Sequence, residues 1–186
     1  MSEIKIDIKT TPFSDLSPEV EEALCREARA CFPQFKERYR RRFYFESLPS
    51  AVFIARINDN IAGFRNLVER TCQINDSEIR IAGISLAVHS DYRGRGVATK
   101  LTEHMLDYVR NENYDIVMAF VINPIAVDIL EKFGFRQVHL PIRFVDSETG
   151  VLSLIEDKTY VLDLKEGAFF EKLKDIEEIH VGKGVW

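Results

Sequence analysis

Apolar and charged residues alternate at the start of the chain, where Lys5 and Asp7 separate Ile4, Ile6 and Ile8. A period of two turns one face of an extended segment inward, so a first strand is predicted here, ended by Pro12. The period then lengthens. Val20, Leu24, Ala28 and Cys31 share one face of a helical repeat, with Ser17 suited to the N-cap, Pro18 to the first helical position and Pro33 to the stop. Residues 51–57 and 61–74 read as apolar strands joined by Asn58, Asp59 and Asn60, residue types that tolerate tight turns. A second turn over 75–77 leads to a strand over 78–88, which completes an antiparallel meander. Val97, Leu101, Met105 and Val109 repeat every four residues and predict a helix with one core-facing stripe. Residues 116–122 are continuously apolar, as in a strand covered on both faces. Asn123 and Pro124 break that strand, and a short helix over 125–133 is closed by Gly134 and Phe135. Strands over 136–145 and 158–164, a hairpin loop over 146–150 and a short helix over 167–176 complete the reading. No repeat or linker divides the chain, so a single α/β domain over residues 1–186 is expected.

Composition narrows the classes. The 186 residues are 46% hydrophobic with 13 Phe, enough for a packed core. A net charge of −5 argues against a general nucleic-acid surface. Three scattered cysteines without a Cys-x-x-Cys spacing suggest neither a disulfide framework nor a metal site, and they fit a reducing compartment. The N-terminus lacks the apolar core of a signal peptide, and no apolar run is long enough to span a bilayer. A cytoplasmic protein without membrane or nucleic-acid partners is expected. The basic, aromatic stretch over 35–45 admits three readings: a helix with a solvated basic face, a substrate-facing lip or a stacking surface for nucleic acid. The net charge opposes the last.

The stretch with most chemistry is Arg93-Gly94-Arg95-Gly96-Val97-Ala98, between an apolar strand and a helix. Unpaired N–H groups at a helix start attract anions, and glycine lets the main chain come close to one. This turn is a candidate phosphate cradle, with Arg93 and Arg95 adding charge.

Residues 79–135 resemble the Gcn5-related N-acetyltransferase (GNAT) superfamily. Its Gln/Arg-x-x-Gly-x-Gly/Ala motif is matched by Arg93, Gly94, Arg95, Gly96, Val97 and Ala98. Its Asn, Ala and Gly-Phe signature is matched by Asn123, Ala126 and Gly134-Phe135. The resemblance implies a mixed, mostly antiparallel sheet with a central parallel strand pair and flanking helices. It implies acetyl-CoA as cosubstrate, no metal, and acetyl transfer to the amine of a small molecule, with a homodimer as one assembly it allows. The pyrophosphate would rest on Gly94, Arg95, Gly96, Val97, Ala98 and Thr99. A β-bulge would open a gap in which the pantetheine arm pairs with Leu86, Ala87 and Val88, and Asn123 would lie near the pantetheine or adenine. A second, weaker resemblance is to the aminoglycoside 2′-N-acetyltransferases, in which the C-terminus lines the substrate site; here it reads Gly184-Val185-Trp186.

The departures concern catalysis. Leu130 stands where many members carry an acidic tyrosine, and the strand over 79–88 holds no carboxylate, with Ser85 its only hydroxyl. No catalytic residue is assigned. Orientation of a neutral amine alone, help from Tyr44, His89, His139 or Tyr160, and CoA binding without turnover all stay open, as does a longer acyl donor.

Overall fold

A computed structural model describes residues 4–121 and 123–186. Its strands, in chain order, are β1 (Asp7–Pro12), β2 (Ala51–Ile57), β3 (Asn60–Ile74), β4 (Ser77–Ile84), β5 (Ala87–Val88), β6 (Ile116–Val121), β7 (Arg136–Val138), β8 (Ile142–Val145), β9 (Leu152–Leu154), β10 (Lys158–Asp163) and β11 (Ile179–Lys183). Its α-helices are α1 (Pro18–Cys31), α2 (Val97–Asn111), α3 (Pro124–Lys132) and α4 (Ala168–Lys172). The chain divides into two compact units. One ends at Leu67 and resumes over Ser85–Tyr108; the other comprises Val68–Ile84 and Val109–Trp186.

In the first unit β1, β2 and the first half of β3 form an antiparallel ladder, with Phe53 opposite Arg65 and Ile54 opposite Phe64. Cross-strand partners share a face, so each face has its own cover. Ile54 and Phe64 pack in a cluster with Leu24 and Ala28 of α1. The Phe53 ring instead meets His104 and Tyr108 of α2, edge to face at 6.0 and 5.4 Å. Helix α1 starts as read: Ser17 Oγ accepts from the Val20 amide at 3.4 Å, Pro18 follows, and Leu24 and Ala28 are fully buried.

The basic, aromatic stretch is not a helix. It holds two short 3-10 turns, Pro33–Phe35 and Arg38–Arg40, and then irregular chain. An α-helix would use the Tyr39 carbonyl for the amide four residues on. Here Arg29 Nη1 donates to that carbonyl at 3.1 Å. The rings still turn inward, with Tyr39 and Phe43 buried, while the Arg38 guanidinium lies 3.7 Å above the Phe45 ring.

In the second unit the order is β3, β4, β6, β10, β7. β4 and β6 run parallel, from Ile81 opposite Ile116 to Ile84 opposite Ala119, while β10 is antiparallel to both β6 and β7. The expected mixed, mostly antiparallel sheet with one central parallel pair is therefore present. The predicted strand over 116–122 is β6; residue 122 lies outside the described residues. Helix α3 ends in a paired C-cap, with the Gly134 amide donating to Glu131 O at 3.0 Å and the Phe135 amide to Leu130 O at 3.2 Å. At the rim of the sheet, Glu69 accepts two bonds from Arg80 and one from the Tyr114 hydroxyl, and the Arg80 guanidinium holds its carboxyl below the ordinary range.

Two expectations fail in this unit. The strand over 136–145 is broken at 139–141, and β8 leaves the main sheet to lie between β11 and β9 in a second sheet. The loop over 146–150 therefore joins β8 to β9, not to β10. The tail is also more ordered than read. Ile179 and Val181 are buried along β11, parallel to β8, and Trp186 lies over Gly83. The indole Nε1 donates to the Met118 carbonyl at 3.2 Å, and its ring stacks on Phe120 at 4.6 Å.

A methyl group at Gly83 would stand 2.4 Å from Trp186 Cε2, closer than carbon atoms pack. Gly83→Ala is expected to displace the indole and to cost about 1–3 kcal/mol by overpacking. Trp186 is the only tryptophan in the chain, so a red shift of its fluorescence together with a lower thermal midpoint checks this directly.

Candidate functional site

The glycine turn is built in the first unit. Gly94 and Gly96 have φ of +73° and +81°, a region closed to most side chains, and a Cβ on either would meet nothing within 4 Å. The glycines are there for backbone conformation, and they leave open space. The first intrahelical bond of α2 runs from the Lys100 amide to Gly96 O at 3.0 Å. The amides of Val97, Ala98 and Thr99 precede it, so the helix supplies them with no acceptor. They stand at the positive end of a fifteen-residue helix.

Gly63 holds this helix start against the sheet. A Cβ there would lie 2.7 Å from Ala87 O and 3.2 Å from Val97 Cγ1, so only glycine lets β5 and the first helical residue approach β3 so closely. Val97 is buried beneath the turn, whereas Arg93, Gly94, Arg95, Gly96 and Thr99 are exposed. Arg93 Nε donates to Val88 O at 3.1 Å, which ties the turn to β5, and the Arg95 guanidinium lies 5.7 Å from the Tyr92 ring.

The strand predicted over 78–88 is interrupted. β4 stops at Ile84, the Ser85 amide donates to Asn66 O at 3.2 Å, and Ala87 and Val88 pair with Phe64 and Gly63. Leu86 lies in the interruption, half-buried, and Ala87 is buried. In the second unit the parallel β4–β6 ladder ends at Ile84 and Ala119. Phe120 and Val121 continue β6 with Thr159 and Lys158 of β10 as their ladder partners. Asn123, exposed, belongs to this unit and caps α3, its Oδ1 accepting from the Ile125 amide at 3.0 Å.

The side chains weighed for acid–base work have defined surroundings. His89 Nδ1 accepts from the Asp91 amide at 3.2 Å, and its Nε2 lies 4.0 Å from Glu27 Oε2. With Arg26, Arg56 and Asp59 these residues line a polar cavity of about 280 Å³. Tyr44 packs against Phe13 and Phe43. His139 is exposed. Tyr160 is buried on β10, where burial and then Glu131 push its phenol upward. Leu130 is buried in α3. Sequence reading missed Gly63 and Gly83, because an isolated glycine in a strand carries no label for what approaches it. Among the described residues no group of three His, Cys, Asp or Glu side chains gathers as metal ligands would, and no helix is long and apolar enough to cross a membrane.

The family profile described as the acetyltransferase (GNAT) family matches residues 19–135. This chain belongs to the GNAT acetyltransferase family. It is 36% identical over 107 residues to a probable glycine dehydrogenase (decarboxylating) subunit 1 of Chloroherpeton thalassium, covering 54% of this chain but only 23% of that protein. It is 31% identical over 121 residues to N-alpha-acetyltransferase 30 of Saccharomyces cerevisiae, covering 61% of this chain and 68% of that protein. Among solved structures it superposes with a TM-score of 0.59 on a GNAT family N-acetyltransferase, YhbS, from Escherichia coli in complex with CoA. That match covers 97% of this chain and 92% of the other at 18% identity, and it shows the shared fold.

The three cysteines are held as thiols by their burial. Burial pushes the Cys31 and Cys72 thiols up to about 11 and raises that of Cys25 as well. At pH 7.5 the resting thiolate fraction of a thiol at 11 is on the order of 10⁻⁴ to 10⁻³. Alkylation of the native protein by iodoacetamide is expected to be slow at pH 7.5 and to climb about tenfold per pH unit toward pH 10. Mass spectrometry of each cysteine peptide gives the rates.

Proposed function

We propose that this chain transfers an acetyl group from acetyl-CoA to an amine by direct attack on the thioester in a ternary complex. The observation that carries this reading is the turn of Gly94 and Gly96, opening a long helix whose first amides lack acceptors. Gly94, Arg95, Gly96, Val97, Ala98 and Thr99 would hold the cofactor pyrophosphate, with Arg93 beside them. The pantetheine amides would pair with the backbone of Leu86, Ala87 and Val88, which follow the break after Ile84, and Asn123 would lie near the pantetheine or the adenine. The site residues fit an anionic cosubstrate because they offer backbone donors, positive charge and open space.

The chemistry balances without a covalent intermediate. The amine nitrogen forms a bond to the thioester carbonyl carbon, the carbon–sulfur bond breaks, and the proton lost by nitrogen balances the departing CoA thiolate. Holding the two reactants together supplies much of the rate. We take the acceptor to be a small-molecule amine. A second reading, an α-amine at the start of a peptide, is favoured by the name of the yeast relative, N-alpha-acetyltransferase 30.

Two measurements test the proposal. Gly96→Val puts a branched side chain at a φ of +81° and is expected to weaken CoA binding by about tenfold or more, read by calorimetry. Gly150→Val, at a φ of +72° in the β8–β9 hairpin, carries similar strain and leaves CoA binding unchanged. CoA thiol release from acetyl-CoA across polyamines, aminoglycosides, amino acids and short peptides should rise above hydrolysis for one class. Release that stays at the hydrolytic background for every amine, despite tight CoA binding, would identify a CoA-binding protein without turnover.

A further inference from the structure

Arg65 is an anomaly in the core of the first unit. It lies in β3 and is 2% exposed. Its register partner is Phe53, and Phe53 carries no charge. Among the described residues Arg65 forms no ion pair; its one hydrogen bond runs from Nη2 to Thr102 Oγ1 at 2.8 Å, and its buried Nε has no partner. Buried cations are ordinarily paired, because the interior does not replace the water they lose. The groups that face the same side of the sheet from α2 do not supply the missing charge. Thr102 is neutral, and His104 bonds Thr10 Oγ1 at 2.8 Å. Burial alone brings the Arg65 guanidinium down to about 10, with no carboxylate acting on it.

The bond to Thr102 leads somewhere specific. Thr102 Oγ1 donates its own proton to Ala98 O at 2.7 Å. That carbonyl belongs to the peptide group whose N–H is the Thr99 amide, one of the donors at the helix start. A cation, a hydroxyl and a peptide group are thus in series, each bond polarising the next in the same sense. The positive end of the series emerges at an amide with no intrahelical acceptor. Thr102 is six residues past Gly96, about 9 Å along the axis at 1.5 Å per residue, and the intervening medium is protein rather than screening solvent.

We propose that Arg65 is a positioning residue for the cofactor: its counter-charge is the pyrophosphate of bound CoA, and Thr102 and the Ala98–Thr99 peptide group relay its charge to that anion. The inference rests on the function proposed above. In the unliganded protein the charge is uncompensated, and binding compensates it. Arg65 therefore favours the liganded state at the expense of the free one. A guanidinium that merely filled the core would do the reverse, stabilising the free protein and leaving affinity untouched.

The test uses the full chain, with CoA and inorganic pyrophosphate as probes. Arg65→Met keeps the length and apolar stem of the side chain. It is expected to melt at or above wild type without ligand, to bind CoA about tenfold more weakly, and to show a smaller thermal shift on saturation with CoA. Pyrophosphate, competing against CoA, should weaken by the same factor, because the effect acts on that group alone. Thr102→Val removes the relay but keeps the charge, and about threefold loss is expected. Arg65→Lys should retain most of the affinity. An unliganded Arg65→Met that melts well below wild type, or a Thr102→Val with unchanged affinity for CoA and pyrophosphate, overturns the proposal. If wild type itself does not bind CoA, the parent reading fails instead.

Discussion

The start of α2 lies against β3 because position 63 has no side chain. A single methyl group there would collide with the Ala87 carbonyl and crowd Val97. That vacancy sets the height of the helix over the sheet, and it lets β5 take β3 as its partner. The consequences spread through the first unit. Val97 becomes a buried anchor, Gly94 and Gly96 before it are exposed, and the amides of Val97, Ala98 and Thr99 precede the first intrahelical bond. Two residues further along β3, on the same face, Arg65 reaches Thr102. Close packing and unpaired donors are two results of one contact.

The second unit uses the same device for a different purpose. Gly83, in β4, makes room for the indole of Trp186, which bonds the Met118 carbonyl and stacks on Phe120. Met118 belongs to the parallel ladder, and Phe120 lies just past its last rung. An aromatic shelf is thereby fastened where β6 outruns β4. The ring is held by a directional bond as well as by area, because a buried indole N–H needs an acceptor.

Much of the framework was legible in the pattern of residues. The capped start of α1, the stripe of α2, the first two strands of the meander and the Gly134 ending of α3 all depend on neighbours within a few positions, and they were read from local periods and turn residues. The glycine turn was legible for the same reason, since two glycines before a helical stripe are a local feature. The irregular stretch over 35–45 was not, because a side chain ten residues away, Arg29, takes the carbonyl that a helix would need. The second sheet escaped for a related reason. β9 is short, and the alternation of Ile179 and Val181 is too brief to announce a strand until β8 is present to pair with it.

Sequence by itself therefore determined the locally encoded elements, α1, α2, the end of α3 and the glycine turn between a strand and a helix. Backbone conformation, helix capping and amide exposure are set within a turn or two of chain. Tertiary structure alone decided what the isolated glycines admit, where the strand after Ile84 changes partner, and that Arg65 is a buried cation with no counter-ion among the described residues. Those facts depend on residues distant in sequence meeting at contact distance. An arginine in an amphipathic strand looks the same on paper whether it faces water or the underside of a helix.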